Sequence, residues 1–152
     1  MTHSVADAAD VRKCPPSRPR HLAEVVFKHR WPTWLALLMT FDNLIDPSVP
    51  SPWILLILPA GYLAIGAARK ALRPPRVLAL QLGGLLGYLT LVLVAVSVSQ
   101  TLALYLVAAG WLGHALWDLA HYRARKIVPR AYAEWCGVID TVIGLSVLLF
   151  LL

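Results

Sequence analysis

Charge is scarce in this chain. Only 14% of its 152 residues are charged and 59% are hydrophobic, against roughly 25% and 45–50% in soluble domains. A soluble domain of this composition would leave much apolar surface in water, so the scarcity excludes that class and points to lipid as the solvent. Acidic residues number 8 and cysteines 2. Cys14 and Cys136 form no CxxC or Cys/His zinc spacing, and both fall on the cytoplasmic side of the topology below, where a structural disulfide does not persist. The apolar sequence begins only after Trp31, with no small-residue cleavage site behind it, which excludes a secretory signal. Nucleotide-binding loops, GxSxG elbows, HExxH helices and internal repeats are likewise missing.

The basic residues that balance to a net charge of +6 invite a nucleic-acid reading, but their placement excludes it. All 14 Lys and Arg lie in three polar segments, 12–30, 69–76 and 123–130, without aromatic interleaving or an RNA-binding signature. Clusters bordering long apolar runs are what the positive-inside rule produces, and they attract anionic lipid headgroups.

Residues 1–30 read as a disordered basic cytoplasmic tail, rich in proline near its middle, with a short juxtamembrane helix over 21–30. Residues 31–152 read as an all-α integral membrane bundle of five transmembrane helices, at about 31–46, 52–68, 77–98, 101–122 and 132–152. The first run is short, carries Asp42 and Asn43, and is closed by a proline-rich turn. Pro59 is expected as a kink inside the second. Five spans put all 14 Lys and Arg on one side, whereas four spans would set the tail against both basic loops. The expectation is therefore a cell-membrane protein with a cytoplasmic N-terminus and an outer C-terminus. In the third run Gly83 and Gly87 form a GxxxG pair, which predicts close helix approach inside the bundle or a homo-oligomer face.

Ionisable groups within the runs mark the candidate site. His114, Asp118 and His121 fall within about 60° of one another on the fourth helix. On the fifth, Cys136, Gly137, Asp140 and Gly144 share a face, with Asp140 its only charge. His114 and Asp140 lie at equal depth, about 12 Å from the cytoplasmic end, and an eight-residue loop makes their helices neighbours. The sequence thus predicts a cytoplasm-facing pocket of His114, Asp118, His121 and Asp140 with Glu134 at its mouth. Imidazoles and carboxylates so placed are candidate catalytic acids and bases, or ligands for a divalent metal. In the plainer reading, His114 and Asp140 hold helix register while Asp118 and His121 face headgroups and pair with Arg123 or Arg125. The H-x3-D-x2-H spacing resembles one histidine box of membrane desaturases and hydroxylases, whose several boxes carry many more histidines. With two histidines in its spans, this chain lacks the ligands for their diiron centre. Asp42, Asn43 and Asp46 form a second polar group at the outer end of the first run, read as a solvated turn and snorkelling side chains or an outer cation spot.

Two functions stand level on these residues: a membrane-embedded enzyme acting on a lipid or isoprenoid, and a non-catalytic accessory protein. A small oligomeric transporter subunit ranks behind them, because no polar stripe crosses the third run.

Overall fold

The structure is a computed structural model that describes residues 27–151. The expected disordered tail, Cys14 and most of the juxtamembrane helix lie outside the described residues; 27–29 are helical. The chain divides into two units, Met1–Arg30 and Trp31–Leu152, and the second holds the bundle.

The bundle is all-helical, with no strand among the described residues. Its elements are α1 (Trp31–Met39), α2 (Phe41–Ile45), a 3-10 turn (Pro52–Leu56), α3 (Ile57–Ala68), α4 (Pro75–Ala95), α5 (Gln100–Ala124) and α6 (Arg130–Phe150). The last three are long and apolar enough to cross a membrane. Each differs slightly from its apolar run. Helix α4 starts two residues early, because Pro75 suits the first helical position where no amide partner is needed, and stops at Ala95. Helix α5 continues to Ala124 and is closed by Arg125 at φ 55, whose N–H bonds to His121 O. That left-handed cap is usually glycine.

The first run is broken where a continuous span was expected. Thr40 leaves the helical region at φ −107, ψ 11, and its Oγ1 donates back to Ala36 O at 2.9 Å, a bond often found where helices bend. Even so, Thr40 N still bonds Ala36 O at 3.0 Å and Leu44 N bonds Thr40 O at 3.2 Å, so α1 and α2 are two parts of one bent rod. In the second run Pro59 makes no mid-helix kink. It is the third residue of α3, and lacking an amide for Leu55 O it leaves the preceding turn in the tighter 3-10 form.

The antiparallel pair α5–α6 makes the most extensive contact in the bundle. On α6 the buried Ala133, Cys136, Asp140, Gly144 and Val147 form one stripe at spacings of three and four. Gly144 sits against Leu112, where an added Cβ would come within 2.7 Å of Cγ. Helix α4 packs on α5, and Leu55 with Leu91 closes over Gly110. Leu55, Val92, Val107 and Trp111 form one apolar core, while Tyr62, Ile127, Val128 and Ala133 form another. Ile127, from the loop between α5 and α6, lies against Gly66 beside Leu72, so the basic loops 69–74 and 125–129 share one end.

Two side-chain bonds place the first run. Near its start Thr33 Oγ1 donates to Glu134 Oε1 at 2.6 Å, and near its end Asn43 Nδ2 donates to Ser146 Oγ at 2.5 Å. The bent α1–α2 rod therefore runs parallel to α6 for about 18 Å. Gly83 and Gly87 do not face another helix of the chain as expected: a Cβ on either would meet nothing within 4 Å. Gly84 instead faces α5, where an added Cβ would stand 3.6 Å from the Trp117 ring.

A candidate His–Asp–Asp centre between α5 and α6

His114 and Asp140 each lie ten residues from the helix end nearest the 125–129 loop, about 15 Å along the axis. That register brings them together: His114 Nδ1–H donates to Asp140 Oδ2 at 2.7 Å. Asp118, one turn from His114 on α5, places Oδ2 3.5 Å from the same Nδ1. All three side chains are sealed in, with relative exposures of 1% for His114, 0% for Asp118 and 1% for Asp140. Among the described residues they form a group whose ligand atoms all lie within 4.8 Å of one another. Gly137 allows this closeness, since a Cβ there would stand 3.2 Å from Asp118 Cβ.

Two tyrosines complete the centre, and sequence reading singles out neither. Tyr62 reaches across from α3 and donates its hydroxyl to Asp118 Oδ1 at 2.5 Å. Its ring meets His114 edge-on, with centroids 5.4 Å apart. Tyr88, on α4, meets the His114 ring at 5.7 Å and donates to Gly110 O at 2.8 Å. A tyrosine in an apolar run is ordinarily an interfacial residue, so its identity alone gives no signal. Gln81, the first polar residue of the third run, was a usable one.

Gln81 explains His121. Its Nε2 donates to His121 Nε2 at 3.1 Å, and His121 Nδ1–H donates to Trp117 O at 2.9 Å. Both imidazole nitrogens thus have fixed partners, and the ring is wedged between Tyr62 and Trp117, with centroids at 4.7 and 5.1 Å. His121 is a satisfied histidine beside the centre, with no nitrogen left for a ligand.

The remaining candidates lie elsewhere. Asp118 and His121 do not face headgroups or pair with Arg123 or Arg125, because both are turned into the bundle toward α3 and α4. Arg130, from the next helix, instead donates to the Tyr122 hydroxyl and stands 4.2 Å over its ring. Glu134 is not a pocket mouth in this arrangement: it points toward α1 and accepts from Thr33, well around α6 from Asp140. In the outer group Asn43 is structural, accepting from Ser48 N at 3.1 Å and Ser48 Oγ at 2.9 Å while it donates to Ser146. Asp42 and Asp46 are exposed.

Within the centre, two deeply buried atoms have no hydrogen-bond partner: His114 Nε2 and Asp118 Oδ2. An orphaned polar atom in low dielectric costs about 1–3 kcal/mol, so a purely structural network tends to be fully satisfied. Two carboxylates sharing one imidazole also leave surplus negative charge whenever both are ionised. Such a centre is suited to holding a cation or moving a proton. No family model, curated protein or solved structure matches the chain.

Proposed function

We propose that the chain is a five-span protein of the cell membrane, with its N-terminus in the cytoplasm and its C-terminus outside. The parallel course of α1–α2 beside α6, from Glu134 to Ser146, supports a first segment that crosses with α6 despite its bend. The shared end of the two basic loops supports the orientation. Reporter fusions at Met1, Ser48, Leu72, Gln100, Lys126 and Leu152 test it; a cytoplasmic C-terminus would leave four spans and a first segment on the surface.

Within that frame the protein works as a membrane-embedded enzyme on a lipid or isoprenoid substrate. The observation that carries this reading is the pair of buried, unpartnered atoms, His114 Nε2 and Asp118 Oδ2, on side chains otherwise held by Asp140 and Tyr62. A lipidic substrate fits a centre buried among apolar helices. His114, Asp118 and Asp140 supply the chemistry, Tyr62 holds Asp118, and Gln81 with His121 packs against the Tyr62 ring. The test is a comparison of extracted lipids from membranes holding equal amounts of wild type and His114→Ala. A lipid species that changes with wild type and reverts in the variant is expected. Identical profiles, with the variant folded, would remove the enzyme reading.

A second reading draws on closure. Tyr62 is fully buried, and Gly137 lets α6 press onto Asp118, as in a non-catalytic bundle whose polar centre fixes the register of its helices. It expects loss of stability in the same variant without a change in lipids.

A further inference from the structure

We propose that His114, Asp118 and Asp140 bind one divalent transition-metal ion, of the manganese, iron or zinc class, through His114 Nδ1 and one oxygen of each carboxylate. The inference rests on reading the centre as functional, but not on the substrate being a lipid.

Three observations support it. The first is convergence. His114 Nδ1 lies 2.7 Å from Asp140 Oδ2 and 3.5 Å from Asp118 Oδ2. Ligands at metal–donor distances near 2.0–2.2 Å stand roughly 2.9–3.5 Å from one another, so small movements make room for an ion. The second is the orphan. Asp118 Oδ2 belongs to a side chain with 0% exposure, has no hydrogen-bond partner, and faces the other two donors. An ion supplies that partner. The third is charge. Binding through Nδ1 moves to Nε2 the proton it otherwise donates to Asp140. Two carboxylates and that neutral imidazole carry minus two, and a divalent ion brings the site to zero, the state a low-dielectric interior favours. One nitrogen and two oxygens suit manganese, iron or zinc better than calcium or magnesium, which prefer oxygen throughout.

The neighbours fit this assignment. The Tyr62 hydroxyl occupies Asp118 Oδ1, leaving Oδ2 for the metal, as outer partners orient ligating carboxylates elsewhere. Tyr62 is here a positioning residue. His121 and Glu134 are outside the ligand set, because their polar atoms are held by Gln81, Trp117 and Thr33.

The experiment uses the full chain purified in detergent, stripped with chelator, and titrated separately with Mn2+ and Zn2+. Retained metal is counted by elemental analysis, and the Mn2+ site is followed by paramagnetic resonance. One ion per chain is expected. Affinity should fall about 100-fold or more in Asp118→Asn and in Asp140→Asn, and about 10-fold in Tyr62→Phe, while Glu134→Gln binds as wild type. The isosteric Asn variants preserve packing, and their metal-free thermal midpoints are measured alongside to confirm that they fold. Wild type that retains no ion above a detergent blank overturns the proposal. So does retention that is unchanged in folded Asp118→Asn and Asp140→Asn. The two readings fail separately: metal binding without any lipid change removes the substrate class alone, whereas lipid turnover by metal-free protein removes the metal alone.

Discussion

Gly137 on α6 lies so close to Asp118 on α5 that a Cβ added to the glycine would stand 3.2 Å from Asp118 Cβ and 3.7 Å from its Oδ2. The backbone of one helix is thus the wall against which the carboxylate of the other is set. Gly137→Ala must push α6 outward or turn Asp118 from His114. The expected cost is about 1–3 kcal/mol, read as a lower thermal midpoint in detergent, with weaker metal retention if Asp118 turns.

Gly144 and the α4 glycines should behave oppositely. A Cβ at Gly144 would meet Leu112 Cγ at 2.7 Å and the Leu112 backbone nitrogen at 3.2 Å. The nitrogen cannot move independently of its helix. Gly144→Ala should therefore destabilise by about 1–3 kcal/mol. Gly83→Ala and Gly87→Ala, with open space before them, should leave the midpoint of the monomer unchanged or slightly raised, since alanine favours the helix by up to about 1 kcal/mol. Equal losses at all three positions would contradict this packing.

His114 and Asp140 should be energetically coupled. Interhelical polar pairs in membranes average about 0.6 kcal/mol and reach about 1.7 kcal/mol. Each single alanine variant should cost more than the coupling, because it strands its partner in an apolar site. A double-mutant cycle on detergent unfolding gives the value, and strict additivity would show that the 2.7 Å bond does not form.

Tyr62→Phe removes the only hydrogen bond shown for Asp118 Oδ1 while keeping the ring against His114 and His121. The expected loss is about 1–3 kcal/mol without metal, and larger by about 1.4 kcal/mol at saturating Mn2+, as a tenfold weaker affinity requires. Midpoints of wild type and variant with and without Mn2+ measure the difference.

Helices α4, α5 and α6 were legible in the sequence because each is a long apolar run bounded by turn or basic residues. The meeting of His114 with Asp140 was legible for a related reason: a short loop and equal depth leave antiparallel neighbours little freedom. The contributions of Tyr62 and Gln81 were not, since their partners lie 56 and 40 residues away and no periodicity within one helix records which face of another it meets. The break at Thr40 was not legible either, since threonine makes the same bond to the fourth preceding carbonyl in unbroken helices, as Thr90 and Thr141 do. The GxxxG pair does not mark packing inside the bundle, because small residues permit close approach without requiring it; the neighbouring Gly84, outside that pattern, is the one facing Trp117.

The short link between α5 and α6 also bears on how the chain is made. Alone, either helix would enter the bilayer carrying an ionisable group near its middle, at a cost of about 2.5–3.5 kcal/mol for a carboxylate. Residues 125–129 form a short link, so joint insertion as a hairpin, which sets His114 opposite Asp140, is the expected route. A nascent chain stopped after α5 would instead present His114 and Asp118 to lipid, a ready mark for membrane quality control. Substitutions at Asp140 should accordingly be felt during biogenesis, as less inserted protein, before they are felt in whatever the finished protein does.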